Sequence, residues 1–410
     1  MERFIGLIGI LVIFAIAFLC SNNRRAINYR LVFSGLGLQI LIAFLVLKVP
    51  FFIHFFQQLG KVMQRLEQFA KQGANFVYGG IAAVGADGVP QNYALTSSFI
   101  FAFNVTATII LVCILAAIFY HIGLMQRIIS LIARIMNVIM RVSGAEALSN
   151  VASTFVGQVE AQVLIRPYLP SMTKSELLAS MSGSLACIAG GILIVYTSMG
   201  AKAEYLIMAS LMAAPGALVI SKIVFPETEE SPTKGNVKLE VKSKAVNIID
   251  AISQGASDGF KISMNVMAML IGFIALIALL NWLLNYLYSG LSLDIIFGRL
   301  FYPIVWAMGV PQNDTMNAAT LLGQKLTTNE FIAFKNLTDH TLPILTEKGL
   351  LIVSIAICGF ANFSSVGMQI GGIGALVPER RTDLAKLGMR ALLCGTLASY
   401  LSAAIAGIII

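Results

Sequence analysis

Gly157-Gln158-Val159-Glu160 opens a stretch that continues through Ala161–Pro170 and Thr173-Lys174-Ser175-Glu176-Leu177-Leu178. It then enters an apolar segment interrupted around Ala186-Cys187-Ile188-Ala189-Gly190. A second stretch has the same order. Thr328-Asn329-Glu330 leads through Phe331–Pro343 and Thr346-Glu347-Lys348-Gly349-Leu350-Leu351 into an apolar segment interrupted around Phe360-Ala361-Asn362-Phe363-Ser364-Ser365. Each half sets a glutamate ahead of a proline-containing turn, a threonine that starts a helix, and a broken apolar helix. Glu160 and Glu330 hold matching places, although the similarity is one of pattern more than identity. Repeats with paired discontinuous helices point to a transporter site near the bilayer midplane. The segments just before the glutamates, Ala145–Val159 and Met308–Thr328, are too short or too polar to span. Re-entrant hairpins fit them, because irregular backbone at that depth must face protein or water.

The rest of the chain reads as membrane protein. Of 410 residues, 58% are hydrophobic and 12% charged, against about 25% charged in soluble domains. A spanning helix needs roughly 20 apolar residues. Unbroken spans are expected at Phe4–Cys20, Leu31–Pro50, Ala94–Tyr120, Tyr205–Val224, Ile262–Leu287 and Leu387–Ile410. Interrupted ones are expected at Ala179–Tyr196 and Gly349–Ile373. The fold class is therefore all-α and polytopic, with about eight crossings. Phe4–Cys20 has no small-x-small cleavage site and is expected to stay as a helix. Val62, Met63, Leu66, Phe69 and Ala70 recur at helical spacing between Lys61 and Lys71, and Leu124–Arg141 has a similar pattern; both suit the interface plane. Glu227–Lys244 is a polar loop.

The net charge of +8 comes from cations at the ends of apolar runs, such as Arg24, Arg25 and Arg30, or Arg380, Arg381 and Lys386. Those are orienting positions, which place Met1 outside and the Arg24 loop in the cytoplasm. They form no basic face for nucleic acid. The five cysteines are scattered in apolar runs and read as free thiols, and the three histidines have no ligand-like spacing. Gly371-Gly372-Ile373-Gly374 lacks the Lys-Ser/Thr of a phosphate loop, so transport must draw on an ion gradient. An intramembrane enzyme would need a nucleophile with its base, or a metal cluster. A channel would need weak binding sites along a continuous pore. The bipartite polar pattern favours a carrier over both.

A carboxylate inside a membrane costs about 2.5–3.5 kcal/mol and is rarely kept without use. The alternative for each glutamate is a structural pair with a nearby cation such as Arg166 or Lys335. Gln158 offers an amide donor and acceptor, which suits the edge of a nucleobase. Asn362 and Ser365 can bond hydroxyls, Glu330 can accept both protons of a vicinal diol, and Phe360 and Phe363 offer aromatic faces. The residues alone define a carrier of a small polar solute.

At these positions the sequence resembles the bacterial concentrative nucleoside transporters. The resemblance rests on Gly157-Gln158-Val159-Glu160 with Arg166-Pro167-Tyr168, and on Tyr302-Pro303-Ile304 with Met308-Gly309-Val310-Pro311. Asn329-Glu330-Phe331 and Gly359-Phe360-Ala361-Asn362-Phe363-Ser364-Ser365 complete it, in the family's order across the whole chain. It implies eight transmembrane helices plus two re-entrant helical hairpins, in an inverted-repeat elevator-type homotrimer of the bacterial cytoplasmic (inner) membrane. Residues 1–144 would be mainly scaffold and interfacial helices, and 145–225 the first hairpin and broken helix. Residues 226–259 would be the polar loop, 260–297 a scaffold helix, and 298–410 the second hairpin, broken helix and last helix. The base would be held by Gln158, Val159, Glu160 and Ile192, and the ribose by Glu330, Asn362 and Ser365, with Phe360 against the nucleoside. Coupling sodium would sit at Ser153, Val156, Cys187 and Ile188, the Val156 and Ile188 positions supplying backbone carbonyls. No organic cofactor is implied. Three positions depart from the pattern. Ser153 stands where sodium-coupled members carry Asn, and Cys187 where they tend to carry Ser. Sodium prefers hard oxygen ligands over sulfur, so proton coupling is the alternative. Val159 replaces Thr or Ser and removes a hydroxyl from the base pocket.

Overall fold

The computed structural model describes residues 2–78, 101–233, 245–338 and 345–410. The start of the Ala94–Tyr120 span, the distal part of the polar loop and Pro343 lie outside the described residues. The described chain is helical. Helix α1 (Glu2–Leu19) ends under a cation: Arg24 Nε and Nη2 donate to the Phe18 and Leu19 carbonyls at 3.2 and 3.3 Å. These carbonyls have no intrahelical donor, and a positive charge suits the negative end of the helix. Asn28 accepts from the Leu31 amide and starts α2 (Tyr29–Lys48).

Helix α3 (Pro50–Tyr78) contains the expected interfacial stretch but runs well beyond it at both ends. Phe56, Gly60, Ala70 and Ala74 are buried, while Phe51, Phe55, Phe69 and Phe76 are exposed. Helix α4 (Phe101–His121) turns by 77° into α5 (Leu124–Met140). Gly123, with φ of 76°, makes that corner, a conformation glycine adopts without steric cost. Ile129, Ala133, Met136 and Met140 form the buried stripe of α5.

The first hairpin is α6 (Gly144–Ser153) and α7 (Glu160–Leu164), followed by the broken helix α8 (Lys174–Ala186) and α9 (Gly190–Ser198), and then α10 (Ala203–Val224). Capping boxes start α6 and α8: Ser143 pairs with Glu146, and Thr173 with Glu176. Each box satisfies two amides that the helix start leaves open. Helices α11 (Ile248–Leu287) and α12 (Leu293–Ala307) separate the repeats. The second half repeats the order with α13 (Thr315–Thr327), α14 (Glu330–Thr338), α15 (Glu347–Ile357), α16 (Phe363–Leu376) and α17 (Arg381–Ile409). Among the described residues α2, α8/α9, α10 and α17 are long and apolar enough to cross a membrane, as is the bent pair α4/α5, while α1, the second half of α11 and α16 are shorter apolar helices.

Helices α10 and α17 form the centre. In α10, 94% of the apolar window is buried, against 33% in α2. Gln39 of α2 is fully buried and donates to the Met212 carbonyl and Ser402 Oγ at 3.0 and 2.9 Å, tying α2 to both central helices. Helices α4 and α11 pack together at the periphery. Gly255 and Gly259 on α11 meet the α4 backbone so closely that a Cβ would fall 2.8 Å from the Cys113 carbonyl and 2.7 Å from Ile110 Cα. This small-xxx-small spacing lets two membrane helices approach.

The structure corrects three expectations. The glutamates do not follow the hairpins; each begins the returning limb of one, at its tip. The polar stretch 226–259 is not all loop, because α11 starts at Ile248 under an Asn247 cap. The division expected at 297/298 falls inside α12, a helix the sequence reading did not single out. Helices α1 and α2 pack on α10 and α17, where the buried Gln39 contacts hold α2.

Candidate functional site

The two helix breaks cross one another. The Phe360 amide donates to the Cys187 carbonyl at 3.3 Å. Gly359 lies against the Ala186 carbonyl, where any Cβ would collide. Around this crossing the hairpin tips and the breaks enclose a cavity of about 400 Å³. Gln158, Val159, Glu160, Ile192, Glu330, Phe360, Asn362 and Ser365 all line it. Phe155 and Met368 also reach it, and α4 and α11 close it with Val105, Ile109, Val112, Ile262, Asn265 and Val266. The volume falls within the ~300–1,000 Å³ range of small-molecule sites, and mostly apolar walls with a few polar groups are typical of them.

The second half builds a carboxylate whose two oxygens are both held. Glu330 is the first residue of α14, whose amide ends favour negative charge. Its Oε1 accepts from the Tyr196 hydroxyl at 3.1 Å and its Oε2 from Asn362 Nδ2 at 2.9 Å. Asn362 also caps α16: its Oδ1 accepts from the Ser365 amide at 2.8 Å and from Ser364 Oγ at 2.9 Å. One side chain thus joins the break in the helix to the carboxylate at the hairpin tip. Ser365 Oγ is buried and has no protein partner. No Lys335 pair forms at Glu330; hydrogen bonds fill that role.

The first half presents an amide. Gln158 Nε2 makes only a long 3.8 Å contact with Met368 sulfur, and its buried Oε1 has no partner. Glu160 opens α7 beside Gly157, where a Cβ would sit 2.5 Å from Glu160 Oε2. Gly157 has φ of 118°, in the left-handed region, so the tip turns tightly there. Val159 packs against Gly372 of α16.

The residues expected to bind sodium are divided. Val156 lines the cavity, whereas Ser153, Cys187 and Ile188 are buried behind it. Ser153 Oγ lies 2.8 Å from both the Ser149 carbonyl and Ser184 Oγ. Gln162 Nε2 donates to Ser149 Oγ and Ser184 Oγ at 3.2 and 2.8 Å, and its Oε1 accepts from Ser180 Oγ. Cys187 Sγ faces Thr154 Oγ1 at 3.4 Å, and the Cys187 carbonyl already accepts from Phe360. The oxygens are hard donors of the type sodium takes, but they bond one another.

Sequence reasoning missed Tyr196, Asn265 and Cys113 in the cavity wall. Tyr196 follows Ile192 by one turn of α9, so helical spacing puts both on one face. Its ring stacks on Phe334 with centroids 4.4 Å apart, which aims the hydroxyl at Glu330.

Crossed broken helices, two hairpins contributed by the two halves of the chain and a mostly apolar cavity with a few convergent polar groups define a secondary transporter of the inverted-repeat, elevator type. Residues 8–81 and 205–407 match the family profiles described as the N-terminus and C-terminus of the Na+ dependent nucleoside transporter, and residues 102–203 match one described as nucleoside recognition. The chain belongs to the Na+-dependent nucleoside transporter family. The uncharacterized transporter YutK of Bacillus subtilis is 39% identical, over 99% of each chain. The nucleoside permease NupC of Helicobacter pylori is 38% identical, over 99% of this chain and 97% of its own. The structure of CNTnw in an inward-facing substrate-bound state is 37% identical, with a TM-score of 0.93 over 100% of this chain and 98% of that one. The protein is a multi-pass membrane transporter and not an enzyme.

Proposed function

We propose that the protein imports nucleosides, uridine and its relatives among them, by symport with sodium. The observation that carries this reading is a pair of buried polar atoms without partners, Gln158 Oε1 and Ser365 Oγ, one from each half of the same cavity. A buried unpaired polar atom is costly unless a ligand completes it. Gln158 offers an acceptor and a weakly engaged donor, which suits a nucleobase edge. Ser365, Asn362 and Glu330 offer the ribose a hydroxyl, an amide and a carboxylate. The Helicobacter relative is named as a nucleoside permease, in keeping with this assignment. Residues Ser153, Val156, Cys187 and Ile188 form the sodium site in this reading, and the chains assemble as a homotrimer, which mass photometry of the purified protein tests.

A second reading, proton symport, is favoured by one observation. The Ser153 hydroxyl is already satisfied within the neutral network of Ser149 and Ser184. Uptake of radiolabelled uridine into proteoliposomes, with sodium and proton gradients imposed separately, tests both readings. Accumulation under a sodium gradient alone supports the first, accumulation under a proton gradient alone the second. No uptake under either gradient overturns nucleoside symport.

A further inference from the structure

The tip of the second hairpin carries a charge for which the site above has no use. Lys325 lies in the last turn of α13, across the tip from Glu330. It is 1% exposed, and its Nζ donates to the Ala356 carbonyl at 3.0 Å. Ala356 is the next-to-last residue of α15, so its carbonyl is one of those that a helix end leaves without an intrahelical donor. Among the described residues no carboxylate forms an ion pair with this ammonium. Glu330 opens α14 five residues further on, so the hairpin tip sets the two charges on its facing limbs. An ammonium this buried, holding one carbonyl, needs a charge partner.

The matching junction in the first half is built from neutral groups. There α6 meets the end of α8 through Ser153 Oγ and Ser184 Oγ at 2.8 Å, and Thr154 Oγ1 meets Cys187 Sγ at 3.4 Å. Both halves bring a hairpin limb onto the end of a broken helix, where carbonyls concentrate negative potential. Only the second half fills that place with a positive charge of its own.

We propose that Lys325 is a positioning residue for nucleoside binding, a tethered counter-cation that offsets Glu330 and the carbonyl end of α15, so that the second half needs no mobile ion. The proposal rests on the nucleoside reading through Glu330. It makes the two halves unequal electrically while they stay alike in backbone, and it leaves the first half as the place for a coupling cation.

The test measures binding of uridine and 2′,3′-dideoxyuridine to the purified full-length protein, together with melting temperatures in detergent. The variants are Lys325→Met, Lys325→Gln, Glu330→Gln and Lys325→Met with Glu330→Gln. Lys325→Met weakens uridine by about tenfold or more but dideoxyuridine by less than about threefold, because only uridine presents both hydroxyls to the charged acceptor. The double variant melts above either single one, since each single change strands a buried charge. Equal loss of both ligands, or a double variant that melts no higher than the more stable of the single ones, overturns the proposal. If Lys325→Met does not fold, Lys325→Gln, which keeps a donor for Ala356, takes its place in both comparisons. A wild-type protein that binds no uridine sinks the nucleoside reading instead, and the melting comparison then decides the charge coupling alone.

Discussion

Tyr196 and Glu330, 134 positions apart in the chain, meet at 3.1 Å across the cavity, the hydroxyl of one repeat donating to the carboxylate of the other. The contact joins the outgoing half of the first broken helix to the tip of the second hairpin. Removing it separates the role of the hydrogen bond from that of the ring. In Tyr196→Phe the ring keeps its stacking on Phe334, so folding is retained. Losing a hydrogen bond to a charged group costs about 1.5–3 kcal/mol, so uridine binding should weaken by roughly tenfold. Glu330→Ala, which also removes the acceptor for the sugar, should weaken it at least as far. Isothermal titration of both variants checks this; wild-type affinity in folded Glu330→Ala would end the ribose assignment.

Val159 sits between Gln158 and Glu160 in the cavity wall, packed on Gly372. Threonine has the same shape and adds a hydroxyl. Val159→Thr is therefore expected to change the ratio of pyrimidine to purine nucleoside affinity and to leave the contribution of the ribose alone. Competition assays read the ratio. A uniform shift across all nucleosides would mean that Val159 does not face the base.

Ser153 is 1% exposed, and its hydroxyl is spent on Ser149 and Ser184. Ser153→Asn adds a carbonyl oxygen with a longer reach, a hard donor that suits sodium. The expected outcome is a steeper dependence of uridine affinity on sodium, because coupling between two ligands is reciprocal. Binding is measured over a sodium series with choline holding ionic strength constant. Affinity that ignores sodium in both proteins would transfer the coupling role to the proton.

Lys222 is buried near the end of α10, with its Nζ 2.8 Å from Glu146, 2.9 Å from Ser175 and 3.3 Å from Glu227. It holds the starts of α6 and α8 to the chain leaving α10. Lys222→Met strands Glu146, and breaking a buried ion pair in this way costs about 3–5 kcal/mol. A clear drop in melting temperature in detergent is expected, and Lys222→Met with Glu146→Gln should recover part of it. A melting temperature unchanged by Lys222→Met would show that the pair contributes nothing to stability.

Where the sequence is uniformly apolar, its reading and the fold agree closely: Tyr205–Val224 is nearly all of α10, and the interruptions at Cys187 and Asn362 mark the real breaks. Polar residues hide the rest. Asp250, Gln254, Asp258 and Lys261 dilute the start of α11, although they lie on a regular helix. Pro303 argues against continuity in α12, yet the helix carries it. The lining residues quoted in motifs are legible because their order is specific. Tyr196 and Lys325 are not, for opposite reasons. A tyrosine in an apolar run looks like packing, and a lysine looks like a solvated surface until the fold buries it.

The bond between the Phe360 amide and the Cys187 carbonyl makes each repeat the finishing piece of the other. A chain of half this length would carry an open break and an unfilled carbonyl in the middle of the bilayer. The two breaks are therefore interdependent: neither can take its final shape until the halves have packed, and Gly359 is where that packing leaves no room for a side chain.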